Sequence, residues 1–365
     1  MRLLVLTAFY PVPNGTHERM FVHVRNKYYI KNGLDVTVLN FATHSDYVIE
    51  GVNVISLNSY QHSNENYDIA VCHSANLRNH YRFMKKYTGL FRHIVFFFHG
   101  HEVLYLTKDY PRPYTYMEGN NPVNRIIQNV YDHLKISIWK RYYGELAEKS
   151  EFVFVSNWIL QHFKKNTGLS EIDLFGHCHI INNSIGSVFE KTSYNPYSEK
   201  KYDFITIRSN LDGSKYCVDI VVRMAKENPQ CRFLLIGRGE FFNYNSKPEN
   251  LEWISRSMNH DEIISYLNAS RCGILMTRED TQGVMTCELA AFGIPVITSD
   301  IEVCHEFFET MPNVAIVSND ESNLPIVKIS RRLREGLSYP KETAYFAENT
   351  IRKEVELYKR IMETV

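Results

Sequence analysis

The chain has no excess of either charge: 41 lysines and arginines are matched by 41 aspartates and glutamates over 365 residues. That balance removes any general electrostatic pull toward nucleic acid, and no nucleic-acid partner is expected. Cysteine is sparse and unorganised. Cys72, Cys178, Cys217, Cys231, Cys272, Cys287 and Cys304 are odd in number and show no C-x-x-C spacing. This excludes a disulfide framework and points to reduced thiols in a cytoplasmic protein. His177-Cys178-His179 is the one local group with metal-ligating chemistry. Alternate residues of a strand face opposite ways, so Cys178 turns from the two histidines and no metal is expected there. Long apolar runs are missing as well. The apolar stretch at 1–10 is short and lacks a small-residue cleavage site, so it reads as a first buried strand and not as a signal peptide. A soluble or peripheral protein is expected. No short-period repeat or low-complexity segment occurs.

What is present is one repeated theme. Hydrophobic residues make up 44% and charged residues 22%, as in a globular protein, and 365 residues call for two domains. Short apolar runs at 2–7, 35–39, 69–73, 94–98, 152–155 and 179–181 read as strands of the first half. Runs at 204–207, 232–236, 251–254, 272–276 and 294–298 read as strands of the second. Helical stretches separate most of them, which predicts an α/β architecture of two parallel sheets with right-handed crossovers. The polar, turn-rich segment 184–202 reads as the interdomain linker. The domains are placed at 1–185 and 200–344, with an amphipathic helix over 345–365. Ligands of open α/β sheets bind at the C-terminal ends of strands, so the cleft between two such domains is the expected site.

The densest chemistry follows the run 272–276. Asp280, Thr281, Gln282, Gly283 and Val284 lead from a glycine turn into an apolar helix, with Glu288 eight positions after Asp280 and Gly293 closing the helix. A helix opening at such a turn presents free backbone N–H groups and its positive dipole end to phosphate. An acid one turn in can hold a ribose hydroxyl pair, and an acid before the turn can reach what hangs from the phosphate. Other polar residues stand at strand ends. Arg208 follows 204–207 and Lys215 comes seven residues later, two cations suited to a diphosphate. Gly237 and Gly239 flank an arginine after 232–236. His99, Gly100, His101 and Glu102 follow 94–98, where a histidine can contact a sugar hydroxyl or a leaving group.

In order and spacing these elements resemble the GT-B fold glycosyltransferases of glycosyltransferase family 4, the retaining, nucleotide-sugar-dependent group. Tyr10-Pro-Val-Pro-Asn-Gly15 followed by His23 resembles the family's first glycine loop, near the donor diphosphate and the acceptor. The resemblance implies two Rossmann-like domains, an N-terminal acceptor domain and a C-terminal donor domain, with a last helix crossing back to the N-domain. It places His99 near the donor sugar. It makes Arg208 and Lys215 the diphosphate clamp, and Asp280 and Glu288 the acidic pair for donor sugar and ribose. Gly15, Gly237, Gly239, Thr281, Gln282, Gly283 and Val284 fall on donor-binding turns, and His23, His101 and Glu102 on the acceptor side. It implies retention of anomeric configuration, a UDP-sugar donor, and no cofactor or metal, the nucleotide-sugar being a substrate. The sequence shows no Asp-x-Asp motif at a strand end. It departs from the family at several points. Asp280 stands where a glutamate is usual, with Glu279 as a possible substitute. Thr281-Gln282 replaces an aromatic residue and a glycine, Ser184 replaces a glycine, and Tyr216 follows Lys215 where glycine is common. Two other functions use the same nucleotide site: a GT-B nucleotide-sugar 2-epimerase, and a non-catalytic nucleotide-sugar-binding subunit of a glycosyltransferase complex.

The acceptor is read from charge. Arg78, Arg82, Lys85 and Lys86 share one face of a predicted helix, with aromatic residues interleaved, and a second basic and aromatic stretch includes Lys135, Trp139, Lys140, Arg141, Tyr142 and Tyr143. Such faces suit an anionic membrane surface, so a glycan or lipid-linked acceptor at the inner face of the cell membrane is one expectation and a solvated helix face is the other.

Overall fold

The residues Leu3, Leu4, Val5 and Leu6 leave no polar side, and the computed structural model buries all four completely in the first strand. The structure describes residues 1–13, 20–117, 122–335 and 341–363. Two units are present: Met1–Leu106, Ile127–Ser184 and Ala347–Val365 form the first, and Thr107–Ile126 and Ile185–Phe346 the second.

In the first unit the strands are β1 (Arg2–Thr7), β2 (Asp35–Asn40), β3 (Tyr47–Ile49), β4 (Val52–Ile55), β5 (Ile69–His73), β6 (His93–Phe98), β7 (Ser150–Phe154) and β8 (Cys178–Ile180). They form one sheet in the order β3-β4-β2-β1-β5-β6-β7-β8. Every described pairing is parallel except β3 with β4. Burial on both faces explains the unbroken apolar runs. The sequence reading missed β3 and β4 because Tyr47–Ile49 and Val52–Ile55 are short and partly polar.

The second unit contains β9 (Tyr202–Asn210), β10 (Phe233–Arg238), β11 (Leu251–Ile254), β12 (Ser270–Leu275), β13 (Val296–Ser299) and β14 (Val314–Val317). Their order is β11-β10-β9-β12-β13-β14, all parallel. The order reverses between β9 and β12, which opens a crevice at their C-terminal ends.

Two boundaries differ from the sequence reading. Segment 107–126, placed by sequence in the first domain, belongs to the second unit. The predicted linker is not free chain: Ser187–Lys191 is a short helix whose Phe189 is fully buried against Phe292. The closing helix, Ile351–Glu363, packs in the first unit on Met20–Lys31. Arg25 Nε donates to Glu354 at 2.9 Å and Arg25 Nη2 to Asn183 at 3.0 Å, while Tyr29 donates its hydroxyl to Glu354. These groups are buried, so their charges are compensated by each other and not by water.

Candidate active site

The β9/β12 crevice collects most of the second unit's chemistry. Arg208 lies near the C-terminal end of β9 and is only 8% exposed, not a solvated loop residue. One Nη donates to Met276 O, while the buried Nε has no acceptor among the described residues. Burial pushes the guanidinium pKa down, and Asp280 works against that push. The result is a charged group with an unmet N–H at a ligand-binding crevice. Lys215 sits on the tight turn Ser214–Tyr216, which is held from β12's side. Arg278 N and Thr277 Oγ1 both donate to Lys215 O, at 2.9 and 3.1 Å. Its Nζ lies 5.0 Å from the Tyr216 ring centroid, and Tyr216 also stands 5.4 Å from the Arg208 guanidinium. The tyrosine found where glycine is common thus packs between the two cations.

Gly237 and Gly239 are explained by close approach. A Cβ on Gly237 would lie 2.1 Å from Arg208 O, and one on Gly239 would lie 2.9 Å from Leu211 Cβ. Glycine lets the end of β10 pass against the end of β9, where the ladder shifts register. Both glycines therefore shape the wall that carries Arg208.

After β12 the chain reaches the acidic pair. Asp280 Oδ1 accepts from Thr281 N at 2.7 Å and Gln282 N at 3.3 Å, so one oxygen is committed to its own loop. Gly283, at φ 71°, takes the left-handed conformation that a β-carbon resists and starts the helix Val284–Phe292. Gln282 is buried at that turn, and Val284 is the helix's first residue. Glu288, one turn in, is buried, and its Oε1 accepts from Gly186 N at 2.9 Å. His260 Nε2 stands 3.7 Å from that carboxylate. Burial raises the Glu288 pKa, and His260 and the Gly186 N–H oppose the rise. Gly186 is needed there, since a Cβ would come within 2.3 Å of His260 Nδ1. Glu279 differs from its neighbour. Its Oε1 is buried without a partner among the described residues, and its pKa is pushed up to about 8, first by burial and then by Asp109, with Lys215 opposing.

The first unit carries the histidines that the sequence reading singled out. His99, just past β6, meets His73 at the end of β5, His73 Nδ1 to His99 Nε2 at 3.0 Å, and the Phe21 ring packs 4.6 Å from His99. Glu102 is buried and accepts from Gly100 N at 2.8 Å and from His99 N, so it braces the loop that presents His99. His101 is exposed, and its carbonyl accepts from Lys135. His23 is buried against Tyr10, whose hydroxyl meets Nδ1 at 2.8 Å, and burial lowers its pKa toward the neutral ring. Gly15 lies outside the described residues.

The basic stretches divide. Leu77–Tyr81 forms a π-turn ahead of the helix Arg82–Tyr87. Arg78, Arg82 and Lys86 line one pocket of about 370 Å³ with Phe41, Gln61 and Tyr87. Lys85 is not part of that lining and stands over Tyr81. The second stretch keeps Lys140 and Arg141 in solvent but is corrected at its other members. Trp139, Tyr142 and Tyr143 are core residues, and Lys135 is buried with its Nζ on Leu104 O, His101 O and Asp132. Aromatic residues packed into a core, as these three are, cannot be offered to a membrane. The same helix, Pro122–Leu146, instead exposes Val123, Ile127, Val130 and Leu134, each by more than half, at helical spacing. His177 Nδ1 donates to the carbonyl oxygens of Ala147 and Ser150, and His179 pairs with Glu151. No cluster among the described residues joins them to Cys178 as metal ligands.

The sequence reading gives His73 less weight than His99, and it misses Arg278, His260 and Tyr110. His73 shares the strand-end position that marked His99. The other three have no motif, and their partners lie far off in sequence.

Comparison with known proteins agrees with this geometry. Residues 204–333 match the family model "Glycosyl transferases group 1". A search of curated proteins found no match. Among solved structures, sucrose-phosphate synthase from Thermosynechococcus elongatus is similar at a TM-score of 0.71, with 10% identity over 100% of both chains. HepE from Anabaena, solved in complex with UDP and glucose, gives 0.70 with 12% identity over 99% of this chain and 100% of that one. A glycosyltransferase from Rickettsia africae gives 0.68 with 15% identity over 100% of this chain and 99% of that one. Residues 204–333 of the second unit thus match a glycosyl transferases group 1 domain, and the chain as a whole has the fold of GT-B glycosyltransferase structures.

Proposed function

We propose that the enzyme moves a sugar, with retention of configuration, from a nucleotide-sugar of the UDP type to a glycan or lipid-linked acceptor in cell-surface polysaccharide synthesis. The observation that carries the reading is the pair of cations at the β9/β12 switch point. Arg208 has an unmet buried N–H, and Lys215 is held by its backbone with its ammonium 5.0 Å from the Tyr216 ring, which Arg208 also meets. Fixed charges of this kind stabilise a departing diphosphate more than a bound one, because they need not reorganise as charge develops. The N-terminal turn of Val284–Phe292 adds backbone N–H groups to the same end. Glu288 is assigned the ribose, with Gly186 N–H fixing its other oxygen. Asp280 is assigned donor-sugar hydroxyls through the oxygen its loop does not use. His99, oriented by His73 and by Glu102 beneath its backbone, is assigned a sugar contact. The leaving phosphate serves as base for front-face attack, and no resident cofactor or divalent metal is required.

For the acceptor, the pocket of Arg78, Arg82 and Lys86 suits a phosphate-bearing group, and the exposed stripe Val123, Ile127, Val130 and Leu134 suits the interface of an anionic bilayer. No helix among the described residues is long and apolar enough to cross a membrane.

A thermal-shift screen with UDP, GDP, ADP and their sugars tests the donor reading, because a ligand of the folded state raises stability with its concentration over Kd. The expected result is a shift with one nucleotide class that disappears in Arg208→Ala and Glu288→Ala, and a loss of about two to three orders of magnitude in kcat/KM for Lys215→Ala. A near-normal rate for Lys215→Ala refutes the clamp.

A further inference from the structure

Residues 107–117 follow β6 in the first half of the sequence, yet they lie in the second unit. Their composition suits a fastened strap. Pro111 and Pro113 stiffen the chain and lower the entropy lost on ordering it, and Tyr110, Tyr114 and Tyr116 supply three large hooks. Tyr116 stacks on Tyr244 at 4.5 Å and donates to Asp212 at 2.8 Å. Tyr114 packs edge-on against Phe241 at 5.1 Å and donates to Asp219 Oδ1 at 2.8 Å.

From Asp219 a relay runs to the diphosphate clamp. Both Asp219 oxygens take Arg278, at 2.9 and 2.6 Å. Arg278 in turn donates from its guanidinium to Ser214 O at 2.7 Å and from its backbone to Lys215 O at 2.9 Å. The strap's own residues reach the same place. The Tyr110 ring centroid is 5.7 Å from Lys215 Nζ, beside the 5.0 Å contact of Tyr216, which belongs to the clamp's own turn. Asp109 is near enough to Glu279 to disfavour its ionisation. Two strap residues thus act on the Lys215 turn by independent routes, one through a ring and one through a hydrogen-bonded ion pair.

We infer that segment 107–117 is a working part of the donor site, in which Tyr110 and Tyr114 are positioning residues that aim the Lys215 ammonium at the diphosphate of the nucleotide-sugar. Tyr110 limits the ammonium's rotamers by a cation–π contact, and Tyr114 fixes the backbone beneath it through Asp219 and Arg278. This rests on the donor reading given above.

The test uses the full chain, inorganic pyrophosphate as the probe, and Tyr110→Ala, Tyr110→Phe, Tyr114→Phe and Lys215→Ala variants. Calorimetry is expected to show pyrophosphate binding weakened about three- to ten-fold by Tyr110→Ala and about three-fold by Tyr114→Phe, with Tyr110→Phe close to wild type. Trace acylation followed by peptide mass spectrometry reads the lysine itself. Lys215 should label several-fold faster in Tyr110→Ala and at the wild-type rate in Tyr110→Phe, a pattern that a general loss of stability does not give. Unchanged labelling and unchanged pyrophosphate affinity in Tyr110→Ala overturn the inference. Lys215→Ala separates the two levels. Weakened binding in that variant beside an unaffected Tyr110→Ala overturns the strap alone, whereas wild-type affinity in Lys215→Ala overturns the donor reading and the strap together.

Discussion

Glu279 supplies the sharpest quantitative prediction. Burial, Asp109 and Asp280 together raise its pKa from 4.5 to about 8, and Lys215 offsets only part of the rise. Below pH 4.5 the folded and unfolded chains both hold the proton. Between 4.5 and about 8 only the folded chain keeps it, so the unfolded state binds fewer protons and stability falls as pH rises; above about 8 this contribution is flat. At about 1.4 kcal/mol per pKa unit the ceiling is about 5 kcal/mol. Water reaching a half-buried carboxyl screens the interaction, and about 1–3 kcal/mol is the expected loss between pH 5 and 8.5. Glu279→Gln keeps the neutral shape and cannot ionise. Urea unfolding of both proteins at pH 5, 7 and 9, with hydrogen exchange of β9 and β12 amides to assign the second unit's transition, gives the difference directly. Glu288 and Glu354 are also raised by burial and add the same slope to both proteins, so the wild-type minus variant curve isolates Glu279. The variant should be flatter by about 1–3 kcal/mol over this interval. Superimposable pH dependences would refute the buried, proton-holding Glu279.

Other predictions follow from packing and buried charge. Gly237→Ala forces a β-carbon against the Arg208 backbone carbonyl at 2.1 Å, so a destabilisation of about 2–4 kcal/mol and a lost nucleotide-induced thermal shift are expected. Glu354→Ala strands the buried Arg25 charge and should cost about 3–5 kcal/mol in chemical denaturation, with fast exchange spreading through the helix Ile351–Glu363. Replacing Val130 and Leu134 with glutamate should abolish binding to vesicles of mixed zwitterionic and anionic lipid in flotation assays while leaving the far-UV spectrum unchanged, since both side chains are already in solvent. Vesicle binding that survives those changes refutes the membrane role of the stripe.

Much of this protein was legible in one dimension because its determinants are local. A fully buried parallel strand must be apolar at every position, so the runs 69–72 and 94–98 announce themselves, whereas the short, half-exposed Tyr47–Ile49 does not. Residues at the ends of such strands are legible by position, which is why the strand-end places of Arg208 and His99 could be read from the sequence. Tertiary structure decided what depends on partners distant in sequence. It assigned Trp139, Tyr142 and Tyr143 to a core, since only packing tells a buried aromatic face from a membrane-facing one. It committed one Asp280 oxygen to backbone and pushed the Glu279 pKa up by burial, because what surrounds each of two adjacent acids is set by packing. It carried Tyr110 and Tyr114 to Lys215 and Asp219 across about a hundred residues, a meeting with no sequence period to reveal it, made when hydrogen bonds and ring contacts outweigh the entropy of fastening a proline-stiffened strap.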